Sequence, residues 1–345
     1  MRLPVVNLKE LEDALSEPSY NVLQSMSRLK GDIMVLGVAG KMGPSLARMA
    51  KRASDAAGVQ RRIIGVSRFT HAEQQQQLND WGIETIACDL LNPAALEQLP
   101  EIPNIIYMAG MKFGSTGNES ATWMMNTVLP AFVCRKFATS KIVAFSTGNV
   151  YGLVPPTKPS VETDTPNPVG EYAMSCLGRE RVFEYHCKKY QTSVALVRLN
   201  YACDLRYGVL VDLAQKVFAG EPIDVGMACF NTIWQGDANA MALSCFAQLD
   251  NTPIGTPLTI NVTGRDILNV RDACEKLGMR LGKKPTFTGK ESDTAILSNS
   301  SRACELFGEP VVSTEELIEW VGDWIVLGGE TLNKPTHFES RTGTF

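Results

Sequence analysis

The sequence predicts an α/β protein with a doubly wound, parallel-sheet Rossmann domain and a smaller α/β substrate lobe interleaved with it. Three observations support this fold class. Short apolar runs alternate with helical stretches from Asp32 to Leu199, the runs are apolar at consecutive positions, and the alternation becomes irregular after Leu199. Such runs are typical of strands covered on both faces, and strands joined through helices pair in parallel by right-handed crossovers.

The elements of the first half follow in a regular order. Residues 1–30 are polar with apolar residues at helical spacing, which predicts an extension of one or two short helices packed outside the main domain. The predicted strands are IMVLGV, RIIGVS, TIACD, NIIYMAG, KIVAFS and SVALVRL. Helices are expected between them, near 43–57, 71–81, 120–138 and 171–190.

The second half predicts a lobe that returns to the sheet. We expect helices near 207–219, 237–249, 270–281 and 314–327, with the strand-like segments FNTIW and LTINVTG between them. The predicted division assigns 31–200 and about 230–262 to the dinucleotide-binding domain, and 201–229 and 263–332 to the substrate lobe. The tail 333–345 is polar, and is either loosely held or wrapped around a neighbour.

Composition restricts the class of partner. The 345 residues are 44% hydrophobic and 20% charged, with a formal charge of −4 and no dense run of Lys and Arg. Nucleic acids and anionic membranes both require a concentrated positive field, so neither is expected as a partner. No segment reaches the about 18 apolar residues of a membrane span. A small molecule is therefore the expected partner.

Cysteine and histidine usage points to a cytoplasmic protein without a metal site. The nine cysteines are odd in number, widely spaced and contain no C-x-x-C pair, so they are expected to be reduced thiols. The segment MRLPVVNLKELEDAL becomes acidic after a few residues, which is unlike a secretion signal. The three histidines have no ligand-like spacing. We therefore predict a cytoplasmic location and no metal.

A glycine motif indicates a dinucleotide site. The first predicted strand leads into GVAGKMG, which places Gly37, Gly40 and Gly43 in a G-x-x-G-x-x-G spacing where a helix begins. Glycines at such a turn let the backbone approach a pyrophosphate, which then lies at the positive end of the helix. A ligand-free glycine turn is the alternative.

The end of the second strand favours NADP over NAD. Enzymes that bind the ribose 2′-hydroxyl of NAD usually place Asp or Glu there. This chain instead has Ser67 and Arg68, with Arg61 and Arg62 just upstream. These donors and positive charges suit a 2′-phosphate, unless Arg68 points into solvent. Asp89, after the third strand, is placed to meet an adenine edge.

Several motifs together resemble those of the extended short-chain dehydrogenases/reductases, in the NAD-dependent epimerase/dehydratase family. They are the glycine motif, CDL, YMAGMKFG, Asn126 in WMMNTVLPAF, FSTGNVYG, YAMSC, VRLN and IWQGDANA, in the family's order. The resemblance implies an enzyme with a nicotinamide cofactor. It implies cofactor contacts from Gly37, Gly40, Lys41, Met42, Gly43, Ser67, Arg68, Asp89, Leu90, Ala109, Gly110, Lys112 and Asn200.

The same resemblance implies the catalytic roles. Thr147 would hydrogen-bond the substrate oxygen, Tyr172 would be the general acid/base, and Asn126 would be a structural or proton-relay residue. Cys176 departs from the family because a lysine normally stands four residues after the tyrosine. Without that cation the phenolate is harder to form, so reduction, in which the phenol gives a proton, suits the site better than oxidation. Lys112 is expected to restore part of the field, and Arg179 is a weaker candidate because its helical position is expected to point it away.

A second departure concerns the substrate. Relatives that bind nucleotide sugars usually carry a diphosphate-binding arginine where this chain has Phe230, which favours a less charged, sugar-like substrate. Three functions stay open: an NADP-linked reductase, a sugar epimerase or dehydratase with bound NAD, and a catalytically silent dinucleotide sensor. Helices 120–138 and 171–190 are expected to pair in a homodimer. Val182, Phe183 and Cys187 either contribute to that interface or face the chain's own core.

Overall fold

The computed structural model describes residues 5–112 and 114–344, so Met1–Pro4 of the predicted extension and Phe345 of the tail lie outside it. The extension forms two helices, α1 (Leu8–Leu15) and α2 (Tyr20–Arg28), whose first turns are capped by the side chains of Asn7 and Ser19. Leu11 of α1 is buried in the core of the second half, and Val22 of α2 is buried against the main sheet. The extension is therefore built into both cores and is more than an outer covering.

The main sheet has seven strands, all parallel. They are β1 (Ile33–Leu36), β2 (Ile63–Ser67), β3 (Glu84–Ala87), β4 (Asn104–Tyr107), β5 (Lys141–Thr147), β6 (Ser193–Leu199) and, later in the chain, β11 (Leu258–Val262). Their order is β11-β6-β5-β4-β1-β2-β3. Because the order reverses between β1 and β4, a crevice opens there at the carboxyl ends of the strands, which is where α/β proteins bind ligands. The predicted fold class is confirmed.

Two helical layers cover the sheet. The helices of the first half are α3 (Gly43–Ala56), α4 (Ala72–Asp80), α5 (Pro93–Glu97), α6 (Glu119–Trp123), α7 (Leu129–Lys136) and α8 (Gly170–Tyr190), and α10 (Gln235–Leu249) follows in the second half. A π-helical turn, Met124–Val128, joins α6 to α7. Alternate residues of each strand pack on α2, α3 and α10 on one face, and on α7 and α8 on the other. Both faces are buried, as the apolar runs predict.

The second half has a hydrophobic core of its own. This half has the helices α9 (Val209–Ala219), α11 (Val270–Leu281) and α13 (Thr314–Val326) and the short strands β7 (Ala202–Cys203), β8 (Ile223–Asp224), β9 (Cys229–Phe230), β10 (Ile233–Trp234), β12 (Leu268–Asn269) and β13 (Phe287–Thr288). Helix α12 (Ser301–Phe307) packs instead on the core of the main sheet, through Ala303 and Phe307. Helices α9, α11 and α13 pack together through buried leucines and valines. The four predicted helices are present, whereas most of the two-residue strands and α12 are too short to show a periodicity. The predicted domain boundaries stay a prediction.

The tail folds back onto its own chain. Thr336 and Phe338 are each only 2% exposed, and Phe338 belongs to the core of the second half. Neither alternative that the sequence left open, loose attachment or wrapping of a neighbour, describes this segment. The burial of the tail results from aromatic and hydrogen-bonding contacts with residues distant in the chain, which no local sequence pattern indicates.

A buried ion pair fastens α8 to the sheet. Arg198 on β6 donates to both carboxylate oxygens of Glu180, with Nη2 2.7 Å from Oε2 and Nε 3.0 Å from Oε1. The hydroxyl of Ser146 donates to Glu180 Oε1 at 2.6 Å, and Arg198 Nη1 donates to the phenol of Tyr151 at 2.7 Å. Ser146 and Arg198 are neighbours in the β5–β6 register. One carboxylate therefore holds two strands and a helix together.

Replacement of Glu180 should destabilise the protein strongly. In Glu180→Leu the guanidinium of Arg198 stays buried without its counter-charge, which costs about 3–5 kcal/mol in the free energy of unfolding. Urea unfolding measures this loss. The control is Arg181→Leu on the same helix, whose exposed pair with Glu184 contributes at most about 1 kcal/mol. Equal losses in the two variants would show that Glu180 has no special structural role.

Candidate active site

A continuous cleft runs along the carboxyl ends of the central strands. It comprises an outer cavity of about 1150 Å³, a middle cavity of about 750 Å³ and an inner cavity of about 680 Å³. The outer and middle cavities share Gly37 and Gly110, and the middle and inner cavities share Lys112 and Tyr172. The predicted cofactor and catalytic residues thus meet in one cleft.

The glycine turn lies where the outer and middle cavities join. Gly37 has φ +88°, and a Cβ there would lie 2.7 Å from the backbone nitrogen of Ala109. A Cβ on Gly43 would lie 2.2 Å from the carbonyl oxygen of Val38, as α3 begins. Both positions therefore require glycine, and the turn brings backbone and the positive end of α3 to the cavity wall. Such a cradle fits the pyrophosphate of a dinucleotide.

The outer cavity collects the residues predicted to contact the adenosine half of the cofactor. It is lined by Ser67, Arg68, Asp89, Leu90 and Ala109, and in addition by Lys334 from the tail. Asp89 also accepts a hydrogen bond from the backbone nitrogen of Leu91 at 3.1 Å. The end of β2 thus offers a hydroxyl and a guanidinium to this cavity, and β3 is followed by its carboxylate.

Arg61 and Arg62 do not reach this cavity, so the prediction that they add positive charge to the cofactor site is wrong. Arg61 donates to the carbonyl oxygens of Met26 at 2.7 Å and Leu29 at 2.5 Å. Arg62 pairs with Asp32, with Nε 2.8 Å from Oδ2. Both lie at the amino end of β2, opposite the site, and Arg61 helps to hold the N-terminal extension.

Asn126 lies in the π-helical turn and is fully buried. Its amide nitrogen donates to the carbonyl of Met111 and to the hydroxyl of Ser175, at 2.8 and 2.9 Å. Its amide oxygen accepts from the backbone nitrogen of Met111 at 2.8 Å and from Arg179 Nη2 at 2.6 Å. With its hydrogen-bonding capacity used in this way, Asn126 ties the segment after β4 to α8.

Thr147 and Tyr172 converge on the inner cavity. Thr147 ends β5 and its hydroxyl also accepts from the backbone nitrogen of Asn149 at 3.2 Å, so it caps the local backbone as well. Burial raises the pKa of Tyr172 well above its ordinary value; Cys176 adds to the increase, whereas Arg179 and a hydrogen bond with Thr147 oppose it. Tyr172 is therefore a protonated phenol at neutral pH.

Cys176 lies behind Tyr172 and is fully buried. Burial raises the pKa of its thiol, so the thiol is neutral at neutral pH. It packs with Val150 and Tyr151 in a small apolar cluster. The position thus supplies apolar contact in place of a positive charge.

Arg179 points into the site, contrary to the expectation that its helical position turns it away. It is only 6% exposed, lines the middle cavity and donates to the carbonyl of Phe145 at 2.8 Å. Positions 172, 176 and 179 are separated by four and three residues, which places them on one face of α8. The sequence-based expectation for Arg179 was therefore wrong, although this spacing was available as a signal for the correct direction. A Cβ on Gly110 would lie 2.4 Å from Arg179 Nη2, so glycine makes room for the guanidinium.

Two lysines face the middle and inner cavities. Lys112 lies with Nζ 6.0 Å from the centre of the Tyr172 ring, and burial lowers its pKa to about 8. Most of its charge is therefore present at neutral pH and is lost as the pH rises through about 8. Lys41 lies over the ring of Tyr207, and burial together with the Lys112 ammonium lowers the pKa of Lys41 to about 6. Lys41 is thus mostly neutral at pH 7.

The remaining predicted residues divide between the cleft and the core. Met42 lines the middle and inner cavities, and Asn200 lines the inner one while donating to Asn231 Oδ1 at 2.8 Å. Phe230 is fully buried and its ring centre lies 6.0 Å from that of Phe338. Phe230 is not a wall of the inner cavity, so it does not contact a substrate directly.

Several lining residues were missed from the sequence. The inner cavity also has Asn149, Tyr207, Gln235 and Thr336 in its walls. Asn149 and Gln235 lie within the motifs FSTGNVYG and IWQGDANA, so the motif positions were available as a signal. Nothing near Thr336 in the sequence indicates its place.

Other classes of site were sought in the described part of the chain. Among residues 5–112 and 114–344, no group of three or more His, Cys, Asp or Glu side chains is placed to hold a metal ion. All nine cysteines are free and buried. Within the same ranges, every helix is too short or too polar to cross a membrane.

Comparison with known proteins identifies the family. The model of the NAD dependent epimerase/dehydratase family matches residues 33–203. No curated protein matches the chain.

Solved structures share the fold at low sequence identity. The UDP-glucuronic acid 4-epimerase from Bacillus cereus, in complex with UDP-glucuronic acid and NAD, is 18% identical with a TM-score of 0.68, over 86% of this chain and 99% of that chain. The UDP-Glc/GlcNAc 4-epimerase from Campylobacter jejuni is 19% identical with a TM-score of 0.71, over 86% and 99%. A dTDP-glucose 4,6-dehydratase from Bacillus anthracis, in complex with NAD, is 17% identical with a TM-score of 0.70, over 86% and 97%.

The positively charged side chains near Tyr172 should influence the pKa of its phenol. We expect Arg179→Met to raise the pKa of Tyr172 further, because a positive charge that stabilises the phenolate is lost. Cys176→Lys should lower it, because an ammonium replaces a neutral thiol. Ultraviolet difference titration of each protein against its own Tyr172→Phe counterpart measures the phenolate.

The controls separate charge from packing. Arg179→Lys keeps the charge and should leave the titration closer to that of the unmodified protein than Arg179→Met does. Arg181→Met removes an exposed charge from the same helix and should change nothing. A Tyr172 titration that is identical in the Met and Lys variants at position 179 would contradict the assignment.

Proposed function

Because the chain belongs, through residues 33–203, to the NAD dependent epimerase/dehydratase family, we propose that it is an NAD(P)-dependent oxidoreductase of the extended short-chain type. It reduces or interconverts a carbonyl or carbinol on a sugar-like small molecule. The observation that carries the proposal is the convergence of Thr147 and Tyr172 on a cavity that continues into the glycine turn. A proton donor and a cofactor cradle thus share one cleft.

Tyr172 acts as the acid in this proposal. A bound nicotinamide dinucleotide, held by the glycine turn and the outer cavity, supplies hydride transfer. Tyr172 gives its proton to the substrate oxygen, and Thr147 donates a hydrogen bond to the same oxygen. Arg179 and Lys112 then stabilise the phenolate that is left, in a site where low polarity strengthens their fields. Asn126 is a positioning residue, since its amide oxygen accepts a hydrogen bond from Arg179 and so holds the guanidinium in place.

The raised pKa of Tyr172 favours reduction. A phenol whose pKa lies far above the working pH is fully protonated, and it is ready to give a proton but slow to accept one. Oxidation requires the phenolate first, so each additional pKa unit costs about 1.4 kcal/mol in that direction. The missing lysine therefore biases the direction of the reaction without removing the acid.

Epimerase or dehydratase activity with bound NAD is the second candidate. The family supports it, and the solved structures of similar fold include sugar-nucleotide epimerases with NAD. In these reactions the site must take a proton as well as give one, which the Arg179 and Lys112 charges would assist. NAD released on denaturation of the purified protein would favour this candidate, whereas turnover of added NADPH would favour the reductase.

NADP is the proposed cofactor, with NAD as the alternative. Ser67 and Arg68 line the outer cavity where β2 ends, and Lys334 adds a second cationic side chain to the same wall. A 2′-phosphate gains from both charges, whereas a bare ribose hydroxyl uses neither.

We further propose a cytoplasmic homodimer, with a sugar-like small molecule as substrate and neither nucleic acid nor membrane as a partner. Phe183 and Cys187 face the chain's own core, which is the alternative that the sequence left open for them. The exposed large apolar residues of these helices include Trp123, Met124, Met174 and Tyr185. Sedimentation measures the state, and a monomer at micromolar concentration would exclude the dimer.

Removal of the phenol should abolish reduction. Tyr172→Phe lacks the proton donor, so NADPH-dependent reduction of sugar-like aldehydes, ketones and lactones should fall by about 10²–10⁴-fold. Steady-state rates across such a panel measure the loss. Tyr190→Phe, at the exposed end of the same helix, is the matched control and should keep full activity. Intact turnover in Tyr172→Phe would mean that another group is the acid, or that the chain only binds dinucleotides.

Reversal of charge at the outer cavity should reverse cofactor preference. In Arg68→Asp a carboxylate repels the 2′-phosphate and accepts a hydrogen bond from the 2′-hydroxyl, so NADPH affinity should fall and NADH affinity should rise. Fluorescence titration gives both dissociation constants. Arg62→Asp, whose guanidinium faces away, is the control and should leave the preference unchanged. Equal affinities in the unmodified protein would contradict NADP selectivity.

A further inference from the structure

The last part of the chain crosses the entrance of the cleft. This segment, residues 332–343, is named the C-terminal strap. It begins where the backbone nitrogen of Leu332 donates to the carbonyl of Arg206 at 2.9 Å, and it ends against Gly170 at the start of α8. The strap therefore joins the second half of the chain to the helix that carries Tyr172.

The strap is fastened by buried contacts along its length. The backbone nitrogen and hydroxyl of Thr336 both donate to Asp212 Oδ2, at 2.7 and 2.6 Å. Phe338 packs on Phe230 in the core. Arg341 Nη1 and Nη2 donate to the carbonyl and hydroxyl of Thr294, both at 2.6 Å. These contacts alternate between hydrogen bonds and apolar packing, which indicates a seat built for this segment.

The far end of the strap requires glycine on both sides. Gly343 has φ +72°, and a Cβ there would lie 2.1 Å from the carbonyl oxygen of Val169. Gly170 has φ +82°, and a Cβ there would lie 2.5 Å from the carbonyl oxygen of Gly343. The two backbones touch directly, two residues before Tyr172. A side chain at either position would separate the strap from α8.

The strap also contributes to the site itself. Thr336 lines the inner cavity, and its carbonyl oxygen lies 3.4 Å from Nζ of Lys112, which donates to it. Lys334 lines the outer cavity. Ser340, Arg341 and Gly343 border a small crevice together with Asn149, which is itself a wall of the inner cavity. The cleft is therefore incomplete without this segment.

We propose that the C-terminal strap is the specificity element of the active site, restricting the inner cavity to a sugar-sized substrate that carries no nucleoside diphosphate. The inference rests on the proposed function in one respect, the placement of the reacting group at Tyr172. Thr336 of the strap lines the inner cavity together with Thr147 and Tyr172, so a substrate bound there would meet the strap beside the reacting group. The other walls are strand ends, the glycine turn and α9, which the two cores hold in place.

Through Thr336 and Lys334 the strap borders both the inner and the outer cavity. Its seat combines side-chain contacts with the backbone contact between Gly343 and Gly170, and substitution of its side chains is expected to loosen it without removing a strand or a helix. Some structures of similar fold carry UDP-linked sugars. In this chain the strap lines the inner cavity through Thr336 and packs on Phe230 through Phe338.

The test uses the full-length protein with the strap released. Phe338→Ala/Arg341→Ala removes the aromatic contact and both bonds to Thr294, and Thr342→Ala, on an exposed strap residue, is the matched control. UDP-glucuronic acid is the probe, with binding measured by calorimetry. We expect affinity for it to rise at least about tenfold in the double variant and to stay unchanged in the control. A cooperative urea-unfolding transition, measured in parallel by circular dichroism, reports that the double variant is folded.

Two results of this test would contradict the proposed role of the strap. Tight binding of UDP-glucuronic acid by the unmodified protein, or no gain in a double variant that still unfolds cooperatively, would overturn the proposal. If the double variant does not fold, Gly343→Val releases only the far end and leaves Phe338 in place, and the same gain is expected. Failure of the proposed function has a different signature, since Tyr172→Phe would then leave NADPH turnover unchanged whatever the strap does.

Discussion

The buried pair between Glu180 and Arg198 is the interaction on which the geometry of the candidate site depends. It fixes the rotation of α8 about its axis, and that rotation decides which side chains face the cleft. The Glu180 carboxylate also accepts a hydrogen bond from the hydroxyl of Ser146, so the same carboxylate holds the end of β5. Thr147 is the next residue, and Tyr172 lies two turns earlier on the helix. Their meeting at one cavity therefore follows from a network that touches neither side chain.

The positive charge near Tyr172 comes from Arg179 and Lys112, because the thiol of Cys176 is neutral at neutral pH. Arg179 brings a guanidinium to the same helix face one turn further on, and Lys112 approaches the phenol from the segment after β4. A guanidinium stays charged at any physiological pH, whereas an ammonium with a pKa of about 8 does not. Burial still dominates the pKa of Tyr172, so the arrangement produces a persistent acid supported by one permanent and one pH-dependent cation.

Features that depend on neighbouring residues can be predicted from this sequence, whereas features that depend on partners distant in the chain cannot. The main strands and long helices were predicted because burial on both faces and helical periodicity each produce a recognisable pattern in consecutive residues. The glycine turn was predicted because backbone conformation there admits no side chain. Arg61 was misjudged because a distant partner, the carbonyl of Met26, determines where its side chain goes. The strap has neither periodicity nor motif, since its seat is provided by residues that are 47 positions earlier for Thr294 and 124 positions earlier for Asp212.

The aromatic residue at position 230 and the strap are best understood as one structural feature. An arginine at 230 would place its charge against the ring of Phe338 in a core where Phe230 is fully buried, and an unpaired buried charge is strongly destabilising. Conversely, Phe338 without Phe230 would lose its aromatic contact in that core. Each residue therefore stabilises the other, and a core that packs Phe338 on Phe230 has no place there for a buried cation. Under the proposed function, a packing contact that lies outside the cavity would in this way limit the charge of the substrate.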